Sequence, residues 1–129
     1  MPVTLEILPS LYAVSRLDSA ASIPAWADGP GLVSISRTRS ELSIVCQQER
    51  VPAEVVCSRE WVALEFAGPF AFDETGIVAS VVNPLAEVAI GVFVISTYDG
   101  DHLLVKQSDL TRVRATLTGV GHVVRTELY

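Results

Sequence analysis

The order of apolar periods in the second half of the chain leaves few folds open. "WVALEF" alternates, with Val62, Leu64 and Phe66 on one face and Trp61, Ala63 and Glu65 on the other, the period of a strand. The Gly68-Pro69 pair ends it. From Thr75 to Ala89 the polar residues Ser80, Asn83 and Glu87 recur three and four apart, so they form one stripe of a helix. The rest of that circumference is apolar, which predicts burial against a sheet and also against a neighbouring helix or subunit. Pro84 removes one helical hydrogen bond and strains the carbonyl of Ser80, so a bend is expected there. "VFVIST" (Val92 to Thr97) reads as a central strand buried on both faces. Asp99-Gly100 signals a two-residue hairpin, with glycine tolerating the positive φ of a primed turn. "HLLVK" pairs back. Ser108 is placed to cap a helix carrying Leu110, Val113 and Leu117, which Gly119 and Gly121 stop. "HVVRTEL" closes as a last strand. The sum is βαββαβ, the order of a ferredoxin-like sandwich.

The first half is shorter of helix. "TLEIL", "YAVSRL", "LVSISR" and "ELSIVC" read as strands, and "IPAWAD" and "QERVPAEV" as helical turns. At an offset of 60 the halves align without a gap: Pro9 falls on Pro69, Pro24 on Pro84, Gly31 on Gly91, Ile35 on Ile95, Ser36 on Ser96, Val45 on Val105 and Gln47 on Gln107. The expectation is an α+β chain of two tandem ferredoxin-like modules, residues 1–58 and 59–129. The first is short of helix, and both have antiparallel sheets with helices on one face. Edge strands in such sheets need cover, which tandem modules or a dimer can supply.

Composition narrows the function. The 129 residues carry a net charge of −6, and the nine basic residues are scattered singly. No basic stripe exists, so nucleic acid and anionic membranes are not expected partners. Cys46 and Cys57 form no CxxC and are too few for a metal cluster, so no metal or cofactor is expected. The most apolar stretch, Gly76 to Ser96, is interrupted by Asn83, Pro84 and Glu87, unlike a membrane span. "MPVTLEILPS" carries an acid and no basic n-region, so it does not read as a signal peptide, and a cytoplasmic protein is expected. Catalysis is not expected either. There is no GxSxG, no HExxH and no phosphate-loop glycine pattern. His102 adjoins Asp101 on one strand, where neighbours face opposite ways. His122 follows a helix-ending glycine, where a cation suits the carbonyl end. Both histidines read as structural.

"AVSRL", "IPAWA", "SISRTRSELSIVC" and "GPFAFDETGIVASVVNPLAEVAIGVFVISTYDGDHLLVK" together resemble the small tandem ACT-domain proteins of bacteria. These are relatives of the cytosolic arginine sensors of the CASTOR type and, more distantly, of the regulatory region of aspartate kinases. The resemblance runs from about Leu5 to His122 and is most specific from Gly68 to Lys106. It implies two ACT-like βαββαβ modules, no catalysis, and an effector, often an amino acid, bound at an interface between modules. It also implies a homodimer. The family's lip is the loop from first strand to first helix, with an acid, a spacer, proline, glycine and an aliphatic residue. Asp73-Glu74-Thr75-Gly76-Ile77 matches it except that Thr75 stands in place of proline.

That loop has its own physical reason to bind. A helix starting near Thr75 or Gly76 leaves its first N–H groups unpaired, and these favour a carboxylate. Gly76 lets a ligand approach the backbone, and Asp73 can take an ammonium or guanidinium. Asp73 can equally cap the helix, and Gly76 can merely relieve crowding. Ser96 and Thr97 end a strand near the same edge. The candidate ligand-binding residues are therefore Asp73, Thr75, Gly76, Ile77, Ser96 and Thr97, for an amino acid or related small metabolite. The alternative is an interaction module without a ligand, its loop filled by Phe70 or Phe72.

Overall fold

The computed structural model describes residues 2–67 and 76–126. They divide into two compact units, one from Met1–Leu8 with Val62–Tyr129 and one from Pro9–Trp61. Two strands, β1 (Thr4–Leu17) and β4 (Cys57–Phe66), supply residues to both. β1 replaces the two strands expected from "TLEIL" and "YAVSRL". It absorbs the Pro9-Ser10 break through a positive φ of 74° at Ser10, as β4 does through 67° at Glu60.

The Pro9–Trp61 unit has the strand order β2-β3-β1-β4, with β2 at Ser34–Arg37 and β3 at Leu42–Gln47. β3 runs antiparallel to β1 from Tyr12↔Gln47 to Leu17↔Leu42. Where helices would lie there are only single 3₁₀ turns, Ala25–Ala27 and Gln48–Arg50. Such turns leave most of their carbonyls without a helical partner. Two arginines supply donors instead. Arg50 donates to Trp26 O at 3.1 Å, Pro30 O at 3.0 Å and Ala27 O at 3.4 Å. Arg59 donates to Gln48 O and Val51 O, each at 3.1 Å. Ala13, Ala27, Leu42, Ile44, Cys46 and Val51 form the core beneath. Burial pushes the Cys46 thiol pKa up, against the opposing charge and hydrogen bond of Arg50.

The other unit contains α1 (Ile77–Glu87), β5 (Phe93–Ser96), β6 (Asp101–Lys106), α2 (Leu110–Gly119) and β7 (Val123–Thr126). Its strand order is β7-β1-β4-β6-β5. The sheet is not wholly antiparallel as expected. Thr4–Ile7 of β1 lie beside β7 and pair with it in parallel, from Thr4↔Val123 to Ile7↔Thr126. Arg125 closes this pair on Glu6 at 3.1 Å. β5 ends the sheet order rather than lying centrally, and Val94 is 39% exposed; β6, between β4 and β5, is the strand buried from His102 to Val105. An apolar run alone does not distinguish the two positions. α1 turns Ile77, Val81 and Leu85 to the core, while Ala79 and Ala86 stay exposed, so its buried arc is narrower than its composition.

Both helices end alike. Ile90 N donates to Leu85 O and Ala89 N to Ala86 O at the end of α1; His122 N donates to Leu117 O and Gly121 N to Thr118 O at the end of α2. The left-handed residue is Gly121 (φ 96°) in α2 but Ala89 (φ 60°) in α1. α2 is entered through a 3₁₀ turn at Gln107–Asp109 and has no side-chain cap, so Ser108 does not play the expected role.

Pro84 does sit inside α1, and its missing N–H leaves Ser80 O without a helical donor. His122 replaces it. Val3 N donates to His122 Nδ1 at 3.0 Å, which makes Nδ1 the acceptor and puts the ring proton on Nε2. Nε2 then donates to Ser80 O at 2.8 Å. The buried imidazole thus ties the residue before β1, the middle of α1 and the end of α2 together.

The two units repeat, but not at 60. Adding 59 to each bound carries Ser34–Arg37 onto Phe93–Ser96, Leu42–Gln47 onto Asp101–Lys106 and Gln48–Arg50 onto Gln107–Asp109. Hydrogen bonds follow the same shift. Thr38 N donates to Glu41 O at 2.8 Å, and Thr97 N to Gly100 O at 2.7 Å. Ile35, 38% exposed, therefore matches Val94, 39% exposed, rather than buried Ile95. A one-residue slip exchanges the faces of a strand, so the alignment at 60 superposed opposite sides. The same bonds make Tyr98-Asp99 the two-residue loop. Gly100 does not use a positive φ.

Candidate functional site

The end of β4 and the β5–β6 turn enclose a cavity of about 380 Å³. β4 brings Glu65, Phe66 and, just beyond its end, Ala67. The turn and the start of β6 bring Thr97, Asp99, Gly100, Asp101 and His102, and β1 brings Glu6. The size suits a small metabolite. Four carboxylates against one imidazole make the lining acidic, which favours a cationic group.

Several of these side chains are held in place. Ser96 Oγ donates to Asp101 Oδ1 at 2.5 Å. Thr97 Oγ1 donates to Gly100 O at 3.0 Å, so its hydroxyl stiffens the turn. His102 Nε2 meets Glu65 Oε2 at 3.1 Å. His102 is 9% exposed, and its Nδ1 is buried with no partner among the described residues. Glu6 is engaged by Arg125. Asp99 sits on the two-residue loop, as the sequence suggested for a turn former.

The sequence-derived candidates divide. Asp73 and Thr75, with Glu74, Phe70 and Phe72, lie outside the described residues. Gly76 precedes α1 as its N-cap in the left-handed conformation, φ 79°, and among the described residues no side chain hydrogen-bonds to the helix start. A Cβ on Gly76 would meet nothing within 4 Å among the described residues, and its left-handed φ is one that glycine adopts without strain. Ile77 points into the core. Thr97 lines the acidic cavity and Ser96 holds one of its carboxylates. Gly76 and Ile77 are not among its lining residues. Glu6, Glu65, Asp101 and His102 were not singled out from sequence as ligand contacts. Glu65 did carry a signal, as the one acid in "WVALEF".

Among the described residues no group of three or more His, Cys, Asp or Glu is arranged to hold a metal ion. Among them, too, no helix is long and apolar enough to cross a membrane.

Similarity to known proteins points one way. Residues 56–119 match the model of the ACT domain, and residues 10–54 match that of a family of N-terminal domains. The crystal structure of a protein from Agrobacterium tumefaciens is 50% identical with a TM-score of 0.95, and the match covers 100% of this chain and 96% of that one. The cytosolic arginine sensor for mTORC1 subunit 1 of Rattus norvegicus is 33% identical over 125 residues; the match covers 84% of this chain but 38% of the relative. The regulatory subunit of aspartate kinase from Thermus flavus shares 8% identity with a TM-score of 0.61, covering 93% of this chain and 97% of that one, which is a likeness of fold.

Proposed function

This chain belongs to the ACT-domain proteins, and from that premise we propose that it is a regulatory sensor of an amino acid or related small metabolite, not an enzyme. In this reading it consists of two tandem ferredoxin-like modules, the first with its helices reduced to single turns. The ligand sits at an ACT–ACT interface and the working form is a homodimer. The observation that carries the reading is the acidic cavity where β4 ends and β5 turns into β6. Asp101 and Glu65 offer carboxylates to a cationic group. The start of α1 at Gly76 and Ile77, preceded in sequence by Asp73 and Thr75, is outside that lining and is proposed as a separate place for a carboxylate, through its N–H donors. Ser96 and Thr97 position the turn. The name of the rat relative, an arginine sensor, supports a cationic amino acid as the first ligand to try.

Ligand binding to the native state would favour whichever conformation or assembly binds it better. A thermal-shift screen against the amino acids tests this, since ligand at 100 times its dissociation constant stabilises by about 2.7 kcal/mol. Asp101→Asn should abolish the shift while leaving the apo midpoint nearly unchanged. No shift with any amino acid, in protein free of copurified ligand, would favour a second reading. In that one the chain is a ligand-free interaction module. Exposed Ile35 and Val94, on the strands that end the sheet order, support it.

A further inference from the structure

The β2–β3 turn, which the shift of 59 residues superposes on the β5–β6 turn, borders a second cavity. In the Pro9–Trp61 unit a space of about 370 Å³ is lined by Arg16, Leu17, Asp18, Ser19, Ser40 and Val56. It lies where β1 ends and β2 turns into β3, the counterpart of the place where β4 ends and β5 turns into β6. Ser40 is the residue that the shift carries onto Asp99. The charged side chain on the penultimate residue of the strand is Glu65 in β4 and Arg16 in β1. The second cavity has one guanidinium and one carboxylate where the first has four carboxylates and an imidazole.

We infer that this second cavity binds a small carboxylate bearing an aliphatic tail. Arg16 is the recognition group. Its side chain is 57% exposed, with Nη2 on Ser40 O at 3.2 Å and Nη1 on Glu41 Oε1 at 3.5 Å. A guanidinium has five N–H donors, so a free edge remains for a carboxylate. The Glu41 contact is long for a charge-assisted bond and exposed, so a ligand carboxylate can displace it. Asp18 Oδ1 accepts from Ala20 N at 3.1 Å and forms the turn; its charge remains, so the ligand carboxylate has to sit on Arg16 rather than beside Asp18. A second guanidinium, that of Arg37, donates to Ser19 O on the same turn. Leu17 and Val56 form the apolar part of the lining, and Val56 is 72% exposed. A tail against these two side chains and a carboxylate on Arg16 satisfy both halves of the lining.

The probe is isovalerate, titrated into ¹⁵N-labelled protein and followed by amide chemical shifts, with 3-methylbutan-1-ol and isoamylamine as controls of the same shape. Isovalerate should move the amides of Arg16, Ser19, Ser40 and Val56 saturably, and the two controls should not. Arg16→Met should abolish the movement, and Glu41→Gln, which removes the competing carboxylate, should tighten binding severalfold. The Glu41 variant keeps the cavity testable if Arg16→Met perturbs the fold. No saturable shift with isovalerate, equal shifts with the alcohol, or weaker binding in Glu41→Gln would each overturn the inference. The acidic cavity and its ligand stand or fall separately, because Asp101→Asn leaves this second cavity intact.

Discussion

Replacing His122 by alanine removes the donor that Pro84 makes necessary. In the native chain Ser80 O receives His122 Nε2 at 2.8 Å, and Val3 N gives to His122 Nδ1 at 3.0 Å. Alanine leaves both backbone groups without a partner in a buried place. An unsatisfied buried group costs about 1–3 kcal/mol, and partial hydration of the space vacated by the ring recovers some of that for the pair. The expected loss is therefore about 2–4 kcal/mol, or roughly 8–15 °C in midpoint for a domain of this size. Pro84→Ala supplies a test of the cause. The substitution restores an N–H four residues beyond Ser80, so Ser80 O keeps a helical donor when the imidazole is gone. His122→Ala should then cost about 1 kcal/mol less in the Pro84→Ala background, the net worth of one hydrogen bond. Urea unfolding followed by far-UV circular dichroism on the four proteins of the cycle measures this coupling. A loss under about 1 kcal/mol, or the same loss in both backgrounds, would refute the pairing of Pro84 with His122.

Three further outcomes follow from single residues. Ala89→Gly should stabilise the protein by about 0.5–1 kcal/mol in urea unfolding, because Ala89 ends α1 in a left-handed conformation that glycine adopts without strain; a destabilised variant would mean that its methyl group matters more than its φ. Arg50→Met should cost about 2–4 kcal/mol by the same measurement, since it orphans the carbonyls of Trp26, Ala27 and Pro30. Cys46, whose pKa is raised above its ordinary 9.0 by burial, keeps its proton in the folded state at pH values where the unfolded chain has lost it. Its contribution to stability is thus whole below pH 9.0 and declines above, so wild type should lose more stability than Cys46→Ala as pH rises through that range, and half-buried Cys57 should alkylate before Cys46.

The helical unit is legible in the sequence because its periods are unmixed. The polar stripe Ser80, Asn83 and Glu87 marks α1, and Leu110, Val113 and Leu117 mark α2. Pro84 even announces the orphaned carbonyl of Ser80. What the sequence does not announce is the donor that answers it, because His122 lies 42 residues away and reads locally as a cation at a helix end. The acidic cavity is hidden for the same reason. Glu6 and Asp101 sit on strands distant in sequence, and only the sheet order places them on one lining. The parallel pairing of β7 with Thr4–Ile7 is equally invisible, since four residues at the start of β1 look like the beginning of the first module. The register of the repeat fails on a different ground. Apolar strands match themselves at neighbouring offsets, and Ile35 on Ile95 is as good an identity as any. Exposure, which the letters do not carry, selects Val94 instead.

The shift of 59 also sets side by side what each unit uses at the same place. Arg50 is carried onto Asp109, the residue that precedes α2 as its N-cap and pairs with Arg112 at 3.5 Å. An acid at that position suits a helix start, where the dipole favours negative charge. A guanidinium there suits a loop, because it can reach back across the unit to carbonyls no helix satisfies. Gly29 belongs to the same exchange. A Cβ built on it would lie 2.7 Å from Arg50 Cζ, so a side chain at 29 would displace the guanidinium from its acceptors. The helix-poor unit is therefore not a helical unit with pieces missing. Arg50, Arg59 and Gly29 form an alternative way to satisfy the same backbone.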